Sequence, residues 1–274
     1  MNIIETRNLT HIYQRKIKAL DNINFTAKPG ERIAVIGANG AGKSTFFKHF
    51  NGILKPTSGE LLINGEPISK KNILKVRKTV GVVFQNPDDQ IFAPTVMQDV
   101  AFGPTNLGLS EEEIEDRVRK SLEVVRLTGF EDRAPHHMST GEKKKVAIAG
   151  ILAMEPEVLV LDEPTAGLDP GGSMRLIKLI NEMNSQLGIT TIVATHEVDI
   201  VPLLADRVCI MSGGKIIADG PPDEIFSTSE MIQKTHLRMP IVARLTEMLK
   251  KEGLPINVRF TVEDARDELL KVYK

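Results

Sequence analysis

Three short runs of the chain are apolar at nearly every position: residues 32–36, 158–161 and 190–194. They are rich in β-branched residues, and a strand with no alternating polar position has no face to present to water. Such runs predict strands of a parallel sheet covered by helices on both sides. Residues 3–9, 23–26 and 61–64 behave differently. Their apolar positions alternate, and the turn residues Pro29-Gly30, Ser58-Gly59 and Asn64-Gly65 punctuate them. This predicts an antiparallel patch. Ser212-Gly213-Gly214 joins 208–211 to 215–218 as a hairpin.

Helical period falls between the strands. Ser110 with Glu113 makes a capping box, and Ile114, Val118, Leu122 and Val125 follow on one face. Further helices are expected from about 139 to 154 and from about 173 to 187. The tail has its own character. Pro221-Pro222 and residues 227–229 read as a linker, followed by Ile241, Val242, Leu245, Met248 and Leu249 at helical spacing. Thr261 and Asp264 can cap a last helix carrying Val262, Ala265, Leu269 and Val272. Two short amphipathic helices make a poor core alone, so they need the main domain or another chain to pack on. The expected division is a domain over 1–228, with a helical insert near 86–137, and an extension over 229–274.

Composition narrows the functional classes. Lys and Arg total 35 of the 274 residues and Asp and Glu 36, a formal net charge of -1. A chain so near neutrality is not a general nucleic-acid coat or a basic membrane-surface protein. Aromatic residues make up only 4% and Trp is absent, which disfavours a base-stacking single-strand binder. No apolar run is long enough to span a bilayer, and residues 1–5 carry no signal-peptide pattern. The single Cys209 excludes an internal disulfide framework and a Cys-rich metal site. The expected compartment is the cytoplasm.

The candidate chemistry begins at Gly37-Ala38-Asn39-Gly40-Ala41-Gly42-Lys43-Ser44, a full match to G-x-x-x-x-G-K-[ST] between an expected strand and an expected helix. Glycines let successive N–H groups turn inward onto phosphate oxygens, and the helix N-terminus adds its dipole. Lys43 is expected on the β and γ phosphates, and the Ser44 hydroxyl on Mg²⁺. A nucleoside triphosphate is therefore the expected ligand. Residues 158–161 end in Asp162 and Glu163, at the strand end where ligands bind in open α/β sheets. Asp162 can complete the Mg²⁺ shell, and Glu163 can polarise a water for attack on the γ-phosphate. Glu163-Pro-Thr-Ala-Gly-Leu-Asp169 follows, then Thr195-His196. Met138-Ser139-Thr140-Gly141-Glu142 precedes a Lys-rich helix.

In this order and spacing the segments resemble the ATP-binding subunits of ABC transporters, over about residues 3–225. The resemblance implies an α/β P-loop NTPase fold of ABC ATPase type. Such a fold has a parallel core sheet, an antiparallel β patch and a helical subdomain, here with a small C-terminal helical extension. It makes 37–44 the Walker A loop, with Thr45 beside it, and Asp162 and Glu163 the Walker B pair. Gln85 becomes the glutamine-loop residue, reaching the Mg²⁺ or water, and Asp169 a D-loop residue. His196 becomes the switch histidine on the γ-phosphate, and Tyr13 the aromatic against adenine. Ser139, Thr140, Gly141 and Glu142 become the signature, facing a second subunit's γ-phosphate. Glu163, His196 and Gln85 are thus the expected catalytic set.

Residues 82–92, with Gln85-Asn86-Pro87-Asp88-Asp89-Gln90, and 99–109, with Phe102-Gly103-Pro104, look like the ATPases of energy-coupling-factor importers of cobalt, nickel or vitamins. Leu237-Arg-Met-Pro240 and the apolar stripe after it resemble their C-terminal dimerisation region. The likeness implies a homo- or heterodimer of ABC ATPases, ATP and Mg²⁺ as ligands, an integral membrane partner, no nucleic acid, and the cytoplasmic membrane face as location. The signature departs from the usual Leu-Ser-Gly-Gly-Gln. Thr140 adds a Cβ and Glu142 a negative charge; either the change is neutral or the subunit works best opposite a partner with an intact signature. Two other readings are a soluble ABC-type ATPase not coupled to transport and a P-loop kinase. A kinase has no use for 139–142 or His196. Translation ATPases of the soluble class usually carry two phosphate loops where this chain has one. Lys143-Lys144-Lys145 reads as a solvated helix face, and Asp88 and Asp89 as loop solvation or subunit coupling.

Overall fold

A computed structural model describes residues 1–227 and 238–272. The chain opens with β1 (Ile4–Tyr13) and β2 (Ile17–Ala27), paired antiparallel. Next, β3 (Arg32–Ile36) leads through the glycine-rich loop into α1 (Lys43–Phe50). Two strands, β4 (Ser58–Ile63) and β5 (Glu66–Pro67), then complete a four-stranded sheet of order β2-β1-β4-β5. Both β1 and β2 run longer than their alternation suggests. Their pairing shifts register between Thr6 and Ile12, and Asn8 and Asn22 take φ of 49° and 53° there. Each shift resets which face a side chain occupies, so the period-2 pattern is interrupted while the strand continues.

From α2 (Ile73–Thr79) the chain enters β6 (Val80–Val83), then α3 (Val96–Asn106), α4 (Glu111–Val124) and α5 (Thr140–Leu152). It returns to the main sheet through β7 (Val158–Asp162), α6 (Pro170–Leu187) and β8 (Thr190–Thr195). The short α7 (Val201–Leu204), the hairpin β9 (Arg207–Ser212) and β10 (Lys215–Gly220), and α8 (Pro222–Ser227) follow. The main sheet has order β10-β9-β3-β8-β7-β6, parallel throughout except at the β9–β10 hairpin. All three continuous apolar runs lie at its centre. Val158 and Val160 pack with α1 on one face, while Leu159 and Leu161 pack with α5 and α6 on the other. That double burial removes the polar alternation.

The strands β5 and β6 escape the sequence pattern. The buried β6 is only four residues long, and β9, expected only as a hairpin arm, also runs parallel to β3. Helix α6 starts at Pro170 rather than near 173. The Asp169 side chain caps it by accepting the Gly172 N–H at 2.6 Å, and Pro170 sits at its first position. Gly171 and Gly172 hide that start from periodicity.

The tail forms α9 (Ile241–Lys251) and α10 (Val262–Val272). The expected linker is in part a helix, since α8 begins at Pro222; residues 228, 229 and 237, on which the rest of the linker, the domain boundary and the start of the dimerisation segment fall, lie outside the described residues. The tail packs on the main domain: Phe260 lies 6.1 Å from Phe226, and Asp199 pairs with Arg238 and accepts the Ile241 N–H. Ile241, Leu245 and Met248 remain more than half exposed.

Beneath α1 lies a pair of imidazoles. His49 is fully buried and its Nδ1 sits 2.7 Å from the Thr45 carbonyl oxygen. A carbonyl only accepts, so Nδ1 carries the proton and Nε2 is bare. Nε2 faces His11 Nδ1 at 3.1 Å, and His11 Nδ1 also lies 3.1 Å from the Lys55 carbonyl oxygen. Burial holds the His49 pKa down at about 4. The unfolded imidazole titrates near 6.5, so the unfolded chain takes the proton first. We expect this contribution, about 3 kcal/mol, to be complete above pH 6.5 and lost as pH falls towards 4. Thermal unfolding between pH 7.5 and 4.5 checks it: His49→Phe should flatten the acid limb relative to the parent.

Candidate functional site

The loop between β3 and α1 is shaped by close backbone approach. Gly40 and Gly42 hold φ of 81° and 106°, values that only glycine adopts without strain. A Cβ on Gly42 would lie 2.7 Å from the Ala19 carbonyl oxygen, and one on Gly37 2.3 Å from that of Met211. The first turn of α1 holds no acidic residue, which leaves its positive end for an anion. Lys43 is 6% exposed; its ammonium donates to the Gly37 carbonyl oxygen at 2.7 Å and stands 3.5 Å from Glu163 Oε1.

A cleft of about 180 Å³ is lined by Ala19, by Asn39, Gly40, Ala41, Gly42, Lys43, Ser44 and Thr45, and by Gln85, Asp162 and Glu163. Beside Ala19 of β2, three separate parts of the sequence meet there because β3, β6 and β7 all end at the same edge of a parallel sheet. Glu163, just past β7, has φ of 48°, unusual for a residue with a side chain. Its N–H donates to the Ala194 carbonyl oxygen at 3.0 Å, tying it to the adjacent β8. Its carboxylate is 5% exposed and lies between Lys43 and His196, whose Nδ1 is 2.9 Å from Oε2. His196 follows β8 and is half exposed.

Asp162 is 7% exposed, and its Oδ1 is a buried oxygen without a hydrogen-bond partner among the described residues. Burial raises its pKa; the Ser44 hydroxyl and Lys43 oppose that, and the Glu163 charge adds to it. A carboxylate oxygen, a hydroxyl and the Gln85 amide oxygen on one cleft are hard oxygen donors of the kind that Mg²⁺ takes. These residues fit a divalent cation.

Other expected residues fall around this cleft. Ala38 supplies a carbonyl oxygen 3.4 Å from the Lys43 ammonium. Tyr13 sits beside the loop, its hydroxyl 3.1 Å from Thr45 Oγ1, with its ring meeting His11 edge-on. The signature residues Ser139, Thr140, Gly141 and Glu142 do not line this cleft; they begin α5. There Glu142 Oε2 accepts from the Ser139 N–H at 2.8 Å and from its hydroxyl at 2.7 Å, a reciprocal capping box. Those Ser139 bonds hold the Glu142 carboxyl below its ordinary pKa. Thr140 has helical backbone without positive φ, so its Cβ imposes no strain.

The lysine run requires a correction, for it is not a solvated face. Lys144 is 2% exposed and donates to the carbonyl oxygens of Glu163 at 3.2 Å and Pro164 at 2.7 Å. Lys143 reaches Asp88 at 2.7 Å, joining the segment after Gln85 to α5. Burial lowers the pKa of both Lys144 and Lys145. Sequence reasoning missed this inward turn because charge predicts exposure. The available signal was position: Lys144 lies three and four residues before the apolar Ala147 and Ile148, on their side of the helix.

The sequence profile of the ABC transporter family matches residues 20–166. The chain belongs to that family. A putative ABC transporter ATP-binding protein of Methanosarcina acetivorans is 59% identical over 98% of this chain and 83% of its own length. The energy-coupling factor transporter ATP-binding protein EcfA of Methanocaldococcus jannaschii is 55% identical, over 100% of this chain and 99% of its own. Among solved structures, cbiO1 of Clostridium perfringens, part of the ABC transporter complex cbiONQ, aligns with TM-score 0.77 at 48% identity, covering 90% of this chain and 99% of its own. An ATP-binding cassette solved as a dimer after hydrolysis, with ADP and Pi bound, aligns with TM-score 0.72 at 27% identity, covering 80% and 98%. The fold is that of an ABC ATPase. The chain is an ABC cassette of energy-coupling-factor type, and its activity is ATP hydrolysis coupled to transport. Among the described residues no helix is long and apolar enough to cross a membrane.

Gly42→Ala tests the loop of this cassette. The added methyl group meets the Ala19 carbonyl in left-handed backbone, and such strain costs about 1–2 kcal/mol. We expect titration with a fluorescent ATP analogue to show affinity falling by about 10-fold or more, because relief of the contact opens the phosphate cradle.

Proposed function

We propose that this ATPase works as a dimer, with itself or a close relative, beneath an integral membrane subunit at the cytoplasmic membrane face. It drives uptake of cobalt, nickel or a vitamin. The observation that carries the proposal is Glu163, a nearly buried carboxylate held between Lys43 and His196 beside the orphaned Asp162 oxygen. The transport setting is supported by the energy-coupling-factor relatives and by cbiO1, itself part of a transporter complex. The dimer is supported by the likeness to a cassette solved as a dimer.

In this reading the loop N–H groups and Lys43 bind the β and γ phosphates, and Tyr13 lies against the adenine. Glu163 takes a proton from a water whose oxygen attacks the γ-phosphorus. The bond to the β–γ bridging oxygen breaks, ADP and phosphate leave, and Lys43 offsets the charge moving onto ADP. Ser44, Asp162 and Gln85 would hold Mg²⁺, which neutralises phosphate charge when bound. His196 orients Glu163 through their 2.9 Å contact and faces the γ-phosphate. Ser139 and Gly141 of one chain close over the triphosphate held by the other. ATP therefore favours the closed pair and hydrolysis releases it, which is the differential affinity that can move a membrane partner. The exposed stripe of Ile241, Leu245 and Met248 provides a second contact between the two ATPases.

Glu163→Gln tests the reading. Turnover should fall by about 10²–10⁴-fold, while ATP binding and an ATP-held dimer persist in size-exclusion chromatography. Turnover at the parent rate would remove Glu163 as the base. Glu142 is tested separately, and here the capping box favours an effect of the altered signature over neutrality. The Ser139 hydroxyl proton is committed to Glu142, whose charge also repels an arriving phosphate. Gln keeps the cap without the charge, so Glu142→Gln should lower the ATP concentration for half-maximal dimerisation by about threefold or more.

A further inference from the structure

Lys144 is buried, yet among the described residues it has no carboxylate at hydrogen-bond distance and it does not line the cleft. Its ammonium instead donates to two consecutive carbonyl oxygens, those of Glu163 and Pro164. A buried ammonium needs such partners, because desolvating an unpaired charge is costly. The pairing also has a geometric consequence. Glu163 holds left-handed backbone at φ of 48°, a conformation that persists only where its surroundings over-determine it. Three contacts do so. The Glu163 N–H is fixed to Ala194, its carbonyl accepts the Ala166 N–H at 3.1 Å, and that same carbonyl accepts a hydrogen bond from the Lys144 ammonium at 3.2 Å. The first belongs to β8 and the second to the turn itself, so Lys144 supplies the clamp from α5.

We infer that Lys144 is a positioning residue for hydrolysis, clamping the Glu163-Pro164 turn so that the Glu163 carboxylate faces the attacking water. This rests on the assignment of Glu163 as base. It also gives α5 a second task. The helix carries Ser139 in its cap and Lys144 in its second turn. A shift of α5 when Ser139 meets the opposite nucleotide is therefore transmitted to the base of its own site. The cap that faces the opposite nucleotide and the clamp on the chain's own base thus lie about five residues apart on one helix.

The test uses the full-length chain with Lys144→Met, which keeps the side chain's length and removes its donors and charge. Steady-state ATPase should show kcat lowered about 10- to 100-fold, the size expected when a reacting group is misplaced by about 1 Å. KM for ATP, and binding of a fluorescent ATP analogue, should stay within about threefold. The decisive measurement is single-turnover hydrolysis in the Glu163→Gln background. A lysine acting only through Glu163 adds less than about twofold to that loss, whereas independent effects multiply. The inference is overturned if kcat stays within twofold of the parent, if the losses multiply, or if the variant no longer binds nucleotide and so proves a folding residue. Glu163→Gln alone judges the base: parent-rate turnover there removes the assignment beneath this inference, whatever Lys144→Met does.

Discussion

Two carboxylates adjacent in sequence, Asp162 and Glu163, are nearly closed to solvent, and the architecture around them answers that constraint. Like charges at such range cannot both stay ionised without compensation. The compensation comes from three elements that are distant in sequence. Lys43 and Ser44 arrive from the start of α1, His196 from the end of β8 and Lys144 from α5. A parallel sheet makes this possible, because the ends of β3, β7 and β8 lie side by side and each delivers its next residue to one place.

The same constraint explains why so much backbone near the cleft is unusual. Gly37 and Gly42 have no room for a Cβ, Gly40 and Gly42 lie in the left-handed region, and Glu163 lies there despite its side chain. Curling a loop until its N–H groups point inward requires such conformations. Turning a strand end so that two neighbouring carboxylates enter one cleft requires another. The surrounding contacts hold this geometry in place, as packed sites do for reactive groups.

Helix α5 emerges as the element that connects the parts. Its cap presents Ser139, its second turn holds the Asp88 segment through Lys143 and the Glu163 turn through Lys144, and its far face packs into the core through Val146, Ile148 and Ala149. Ser139, the segment after Gln85 and the Glu163 turn therefore all meet one helix.

Much of this was legible in one dimension. The uninterrupted apolar runs named the central strands, since burial on both faces erases alternation. The loop motif named its ligand, since its chemistry lies in backbone N–H groups and consecutive residues. The Ser110 and Ser139 caps marked helix starts, because a cap needs only a residue and its third neighbour. Other features depend on contacts between distant segments. The bulges in β1, the short β6 and the burial of Lys144 are set by partners tens of residues away, which local composition does not record. Glu142 illustrates the division. Sequence placed a negative charge in the signature, but only the fold revealed that the carboxylate bends back onto Ser139, because where a side chain points is decided by the donors around it.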